Sequence, residues 1–248
     1  MGAGRGEIRS CFPARRQLSE AAGNVAAPRL LLFDFNGTIS HDEPLLLRIY
    51  QQLFARYGRP LTKEEYYGRL AGLSEEAIIG GWLGVDGPLL GSLIAERLAI
   101  YVKEAAGGMT VPPEIRESVR FAAARVPVAI VSGAFRAEIE PVIATAGIGA
   151  EVAAIIAADD VEHGKPSPEG YRHALDLFGV DPREAVAFED TQAGIDAARA
   201  AGLRCIAVRG TLPDERLVAA DEVVDRIDVG LIRRLLGGGT PPAFDEPL

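Results

Sequence analysis

From Arg29 onward the chain alternates short, almost uninterrupted apolar runs with amphipathic stretches of helical period. The runs are RLLLFDF (29–35), VPVAIVSG (126–133), VAAIIAADD (152–160), AVAFED (185–190) and RCIAVRG (204–210), with DEVVD (221–225) as a sixth. A strand with one wet face alternates apolar and polar residues. Runs that are apolar at consecutive positions suit strands covered on both faces, as in a parallel sheet. Between them, PEIRESVRFAAAR, SPEGYRHALDLFG and TQAGIDAARAAG carry helical spacing, and the last ends in the glycine that commonly closes a helix. Strand and helix taken in turn predict a doubly wound, Rossmann-like α/β core with a parallel sheet.

The alternation breaks once. Between Pro44 and Pro112 no strand pattern occurs, and PLLLRIYQQLFARYG, TKEEYYGRLAG, SEEAIIGGWLG and PLLGSLIAERLAIYVKEAA read as helices. Thr62 with Glu65 matches a capping box, whereas Ser74 begins one that Ala77 leaves incomplete. A helical insertion directly after the first strand makes a small second domain at the edge where open α/β sheets bind ligands, which is the position of a lid. The expected organisation is a core of residues 29–43 and 113–235, an α-helical cap of 44–112, a disordered extension over 1–28 and a flexible tail over 236–248. The extension contains acids and lacks the apolar segment of a targeting peptide. Its GAGRG follows no strand and is therefore not a dinucleotide fingerprint.

A net charge of −9 argues against nucleic acid as a partner. An acidic protein that takes an anionic substrate needs local positive charge, most simply from a bound cation. No apolar stretch is long enough to span a membrane. The two cysteines, Cys11 and Cys205, form no disulfide or zinc spacing, so a reducing, cytoplasmic setting is expected. Nothing in the sequence fixes the oligomeric state.

The polar residues cluster where the runs end. The first run delivers Asp34, the second Ser132 and Gly133, and the fourth Glu189 and Asp190; Asp159, Asp160 and Lys165 follow the third. Singly, each has a plainer reading. A strand-end aspartate caps a turn, Lys165 before Pro166 is a solvated turn lysine, Ser132–Gly133 opens a helix, and Glu189–Asp190 caps the next one. Their recurrence at four successive strand ends of a parallel sheet favours a shared crevice. There Asp34, Glu189 and Asp190 are hard oxygen ligands of the kind Mg²⁺ takes alongside substrate phosphate. Lys165 and Ser132 are placed to hold phosphoryl oxygens, and Asp34, beside the small Gly37, is the candidate nucleophile for an aspartyl-phosphate route.

Together these residues resemble the haloacid dehalogenase superfamily, in its β-phosphoglucomutase and phosphoglycolate phosphatase-like branch with a helical cap. DFNGT resembles the first motif of that family, VSGA (131–134) the second, GKPSPEGY (164–171) the third and FEDTQAGIDAARAAG (188–202) the acidic fourth, in the right order over about residues 29–228. The resemblance implies Asp34 as nucleophile, Thr38 and Ser132 as phosphate-holding hydroxyls, and Lys165 as the balancing cation. It implies Glu189 and Asp190 as metal-binding acids, with Asp159 positioning Lys165. Asn36 occupies the place whose backbone carbonyl binds Mg²⁺ and whose carboxylate usually serves as general acid and base.

Asn36 keeps the carbonyl but its amide carries no proton of use near neutrality. General acid–base help is worth about 10²–10⁴ in rate, roughly 3–5 kcal/mol. Three accounts follow: a substrate whose leaving group needs little protonation, proton transfer by water or a neighbour such as His41 or Asp42, or a slow enzyme. In the cap, Glu75 follows Ser74 where sugar-phosphate members often place Arg, and Leu46 stands where they often carry His. Arg69 is then the best cationic candidate for the substrate. Tyr66 and Trp82 read as cap core, and Lys63 and Lys103 as solvated. The expected activity is Mg²⁺-dependent hydrolysis of a small phosphorylated metabolite through an aspartyl-phosphate. The alternatives are a phosphomutase and a catalytically weak metabolite-binding protein.

Overall fold

A computed structural model describes residues 27–107 and 110–237. The readings made for Cys11, for the extension up to residue 26 and for the tail beyond 237 lie outside the described residues.

Six parallel strands form one sheet: β1 (Leu30–Phe33), β2 (Val128–Val131), β3 (Ala154–Ile156), β4 (Ala185–Glu189), β5 (Arg204–Val208) and β6 (Glu222–Val224). Their spatial order is β3-β2-β1-β4-β5-β6. The consecutive apolar positions of β1, β2 and β4 are buried throughout, whereas the edge strands β3 and β6 are only partly covered. The chain runs outward from β1 to β3 and then crosses to β4 on the other side of β1. The order therefore reverses between β1 and β4, and ligands of such sheets bind outside the carboxyl ends of the strands at that point. The pairing places Phe33 opposite Phe188, and their rings stack with centroids 4.5 Å apart and an interplanar angle of 6°. Asp34 and Glu189 are the residues that come next.

The helices are α1 (Glu43–Arg56), α2 (Lys63–Glu65), α3 (Gly81–Leu83), α4 (Gly87–Ala105), α5 (Pro113–Ala123), α6 (Arg136–Thr145), α7 (Glu169–Phe178), α8 (Gln192–Ala200) and α9 (Val229–Leu235). The first four follow β1 and precede the helices that pack beside the sheet. The connections that leave β1 and return to α5 meet where the His41 amide donates to the Thr110 carbonyl at 2.7 Å.

Two stretches differ from expectation. Residues 62–83 hold only the short α2 and α3, with π turns at Tyr66–Leu70 and Glu76–Gly80 in place of continuous helices. The segment 68–84 holds five glycines, each a poor helix former, so packing decides its path. The π turns put Tyr66, Ile78 and Ile79 into the core. The Thr62–Glu65 capping box forms in both directions, and the Ser74 hydroxyl accepts from the Ala77 amide. The second difference is α6, which, like α9, the helical reading of the sequence did not include. Pro141 lies in its interior and deprives the carbonyl of Ala137 of its helical donor, so the letters look like a break. Burial of Ile139, Val142 and Ile143 holds the helix across it.

Candidate active site

At the carboxyl end of the sheet the ends of β1 and β4 bring Asp34, Glu189 and Asp190 together. All three are buried, and each offers a carboxylate oxygen within 4.8 Å of the others. Lys165, from the loop before α7, bridges two of them: Nζ lies 2.5 Å from Asp34 Oδ1 and 2.6 Å from Glu189 Oε1. The Tyr171 hydroxyl donates to the same Glu189 oxygen at 2.6 Å. Thr38 Oγ1 donates to Asp190 Oδ1 at 3.3 Å.

The backbone is shaped to let these groups approach. Gly37 has φ +73°, and a Cβ there would stand 1.9 Å from Asp190 Oδ2. At Gly194, in the first turn of α8, a Cβ would stand 1.9 Å from Glu189 Oε2. Glycine at both places is required by close approach to a carboxylate.

The electrostatics are those of an acid cluster short of positive charge. Burial pushes Glu189 up to about 7 against the pull of Lys165, and burial together with Asp34 and Glu189 holds Asp190 well above the usual carboxylate range. Burial pulls Lys165 down, but Asp34 and Glu189 more than reverse this and keep it firmly protonated. Among the described residues, Glu189 Oε2 and Asp190 Oδ2 are buried without a hydrogen-bond partner. Buried, unpartnered carboxylate oxygens cost free energy unless a cation or donor meets them. Hard oxygen donors with two such orphans fit a divalent cation such as Mg²⁺.

A cavity of 360 Å³ opens over the cluster. Asp34, Asn36, Ser132, Gly133 and Lys165 of the predicted set line it. Three predicted residues stand elsewhere. Thr38 is fully buried with its hydroxyl turned to Asp190, so it orients an acid and does not reach the cavity wall. Arg69 is exposed, with its guanidinium 5.7 Å from the Trp82 ring centroid, and does not line the cavity. Asp159 accepts from the Arg136 amide at 3.2 Å, whereas the ion pairs of Lys165 are with Asp34 and Glu189. His41 is exposed and off the wall, as are Lys63 and Lys103. Trp82 donates to the Arg59 carbonyl at 2.9 Å, and Tyr66 is both buried and on the wall.

Asn36 turns its side-chain amide to Asp42, donating to Oδ2 at 2.9 Å; the Tyr101 hydroxyl donates to the same oxygen. Asp42 is thus sealed behind Asn36, and burial lifts it to about 6 against those hydrogen bonds.

Sequence reasoning missed the far wall. Arg97 of α4 is buried and spans Glu75 Oε1 at 3.0 Å and Glu138 of α6, over the rings of Tyr50 and Tyr101. The Tyr50 hydroxyl donates to Glu75 Oε1 at 2.6 Å, and Glu75 Oε2 is buried with no partner among the described residues. The signal was present: Leu93, Arg97, Tyr101 and Ala105 share the buried stripe of α4, and an arginine there needs buried carboxylates. Glu43, the first residue of α1, also lines the cavity and was passed over.

The comparisons agree with this geometry. A family model for haloacid dehalogenase-like hydrolases matches residues 28–202. The chain is 31% identical over 195 residues to validoxylamine A 7'-phosphate phosphatase of Streptomyces hygroscopicus subsp. limoneus, covering 78% of this chain and 91% of that protein. It is 30% identical to fructose-1-phosphate phosphatase YqaB of Escherichia coli, covering 72% and 95%. Among solved structures, a CbbY variant from Rhodobacter sphaeroides in complex with xylulose-(1,5)bisphosphate superposes with a TM-score of 0.73 at 30% identity, covering 81% of this chain and 95% of that one.

Proposed function

The chain belongs to the haloacid dehalogenase-like hydrolase family, and on that premise we propose that it is a Mg²⁺-dependent phosphatase of a small organic monophosphate. The observation that carries the reading is the convergence of Asp34, Glu189 and Asp190 with Lys165 under one cavity. The names of the relatives, phosphatases of phosphorylated small molecules, support it.

Asp34 attacks phosphorus to form the aspartyl-phosphate, and water then releases phosphate. Lys165 orients the Asp34 carboxylate and meets the charge of the phosphoryl group. Ser132 and Gly133, on the wall beside it, hold phosphoryl oxygens. Glu189, Asp190, Asp34 and the Asn36 carbonyl would hold Mg²⁺. The ion would offset the repulsion among the acids and stabilise negative charge on the phosphoryl oxygens. Thr38 and Tyr171 fix Asp190 and Glu189 for that task. The helices of residues 44–112 act as a cap that excludes bulk water and selects the substrate.

The far wall favours a monophosphate. Glu43, Glu75, Glu76 and Glu162 line the cavity besides Asp34, against Arg97, Lys165 and His163. Arg97 is already shared by Glu75 and Glu138, so no free guanidinium there offers itself to a second phosphate. A phosphomutase, which must hold a bisphosphate, is the weaker reading for this reason.

The test is phosphate release from a panel of sugar, cyclitol and amino-sugar monophosphates, a sugar bisphosphate and an acyl phosphate, with and without Mg²⁺. Release that needs both Mg²⁺ and Asp34 is expected. Turnover unchanged in Asp34→Ala would overturn the reading, and isomerised product from the bisphosphate would favour the mutase.

A further inference from the structure

The site as described has a nucleophile, a cation and metal-binding acids, but Asn36 gives it no proton donor for the departing oxygen. Resting on the phosphatase reading, we propose that Glu43 is the general acid and base of this protein, standing in from the first turn of α1 for the acid that position 36 lacks.

The cavity wall singles it out. His41 is exposed and outside the cavity; Asp42 is shut behind Asn36 by that amide and the Tyr101 hydroxyl. Glu43 lines the same cavity as Asp34 and Lys165 while being only 9% exposed. The Tyr66 hydroxyl donates to its Oε2 at 2.9 Å and so fixes the carboxyl. Oε1 takes no hydrogen bond from any described residue and is not among the sealed buried oxygens. One oxygen is anchored and the other is left for the substrate.

Its surroundings place its proton where neutral-pH chemistry needs it. Burial raises the group most, the Tyr66 hydrogen bond lowers it, the charges of Asp42 and Asp34 raise it and Arg97 lowers it, which leaves it at about 7. These groups, with Tyr67 beside Tyr66 and Asp190 of the loop after β4, are its charged and titratable neighbours among the described residues. An acid balanced near the working pH serves both as donor and as acceptor.

The two half-reactions balance through it. In the first, a bond forms between an Asp34 oxygen and phosphorus, the bond from phosphorus to the leaving oxygen breaks, and the Glu43 proton goes to that oxygen, releasing an alcohol. In the second, water bonds to phosphorus while giving a proton to the Glu43 carboxylate, the Asp34–phosphorus bond breaks, and inorganic phosphate leaves. Both carboxyl groups return to their starting states.

The experiment compares kcat/KM, which reports steps up to loss of the leaving group, for the best alkyl monophosphate and for acetyl phosphate. In Glu43→Gln the alkyl value is expected to fall about 10²–10⁴-fold more than the acetyl value, because an acyl leaving group needs little protonation. The pH–rate limb near neutrality is lost with it, and Tyr66→Phe moves that limb to higher pH. Adding Asn36→Asp to Glu43→Gln restores much of the alkyl activity. Equal losses on both substrates, an unchanged alkyl value, or a limb that survives Glu43→Gln would each overturn the assignment. Phosphate release that persists in Asp34→Ala would instead overturn the phosphatase reading and the assignment with it.

Discussion

Glu189 lays its carboxylate against Gly194 so closely that a methyl group there would stand 1.9 Å from Oε2 and 2.2 Å from Oε1. The acid that β4 delivers is therefore seated by the first turn of the helix that follows. Gly194→Ala has no room except by pushing the carboxylate away from Asp34 and Lys165. Displacing an oriented metal ligand is expected to weaken Mg²⁺ about 10–100-fold. Calorimetric titration with Mg²⁺ checks this directly, and an unchanged affinity would show that Glu189 does not hold the ion.

Lys165 is the cation nearest the cluster, within 2.6 Å of both Asp34 and Glu189. Lys165→Met should abolish turnover and lower the melting temperature of the metal-free protein, because three buried acids then repel one another without relief. The same variant should show a larger rise in melting temperature on adding Mg²⁺ than the parent. In the parent, Mg²⁺ at about 100 times its dissociation constant should stabilise by about 3 kcal/mol, and chelation should reverse it. Thermal scans with EDTA and with Mg²⁺ read all three outcomes.

Arg97 ties Glu75 to Glu138, and all three side chains are buried. Removing the guanidinium leaves two carboxylates unpaired, which typically costs about 3–5 kcal/mol. Urea unfolding of Arg97→Met should show a loss of that order. Adding Glu138→Gln should recover part of it, since one of the stranded charges is then gone.

Glu43 links stability to pH. Its folded value of about 7 lies above the ordinary 4.5, so between those values the native state holds a proton that the unfolded chain has released. Stability from this group is complete below about pH 4.5 and is lost as pH rises through about 7, an effect of the order of 3 kcal/mol. Glu43→Gln cannot titrate. In EDTA, its stability relative to the parent should therefore grow from about pH 5 to about pH 8. Asp42, also raised, titrates in both proteins and largely cancels. Denaturant unfolding across that range tests the sign: a difference that shrinks with pH would contradict it. A variant that is more stable yet slower is the usual trade at a functional site.

The letters of the chain revealed the sheet and the near wall of the site because both are local properties. β1, β2 and β4 are continuous apolar runs, and Asp34, Ser132, Glu189 and Asp190 each stand at the end of one. Topology then does the rest, since parallel strands put their ends on one edge. The far wall was harder to see because its residues have no fixed spacing from the motifs. Arg97, Glu75 and Glu138 meet only after α4 packs on α6, and the course of residues 66–83 depends on π turns and glycines that no helical period describes. Thr38 illustrates a subtler limit. The sequence places a hydroxyl in the right loop, but only the fold shows that it faces Asp190 and not the cavity.

The stacked rings of Phe33 and Phe188 come just before Asp34 and Glu189 in their strands. They act as a gauge block under the two acids: the spacing of the proposed nucleophile and the proposed metal-binding acid is inherited from two buried side chains that do not line the cavity. Fine adjustment of this active centre can thus come from the greasy interior, by trimming or swelling one ring, with every reacting letter left in place.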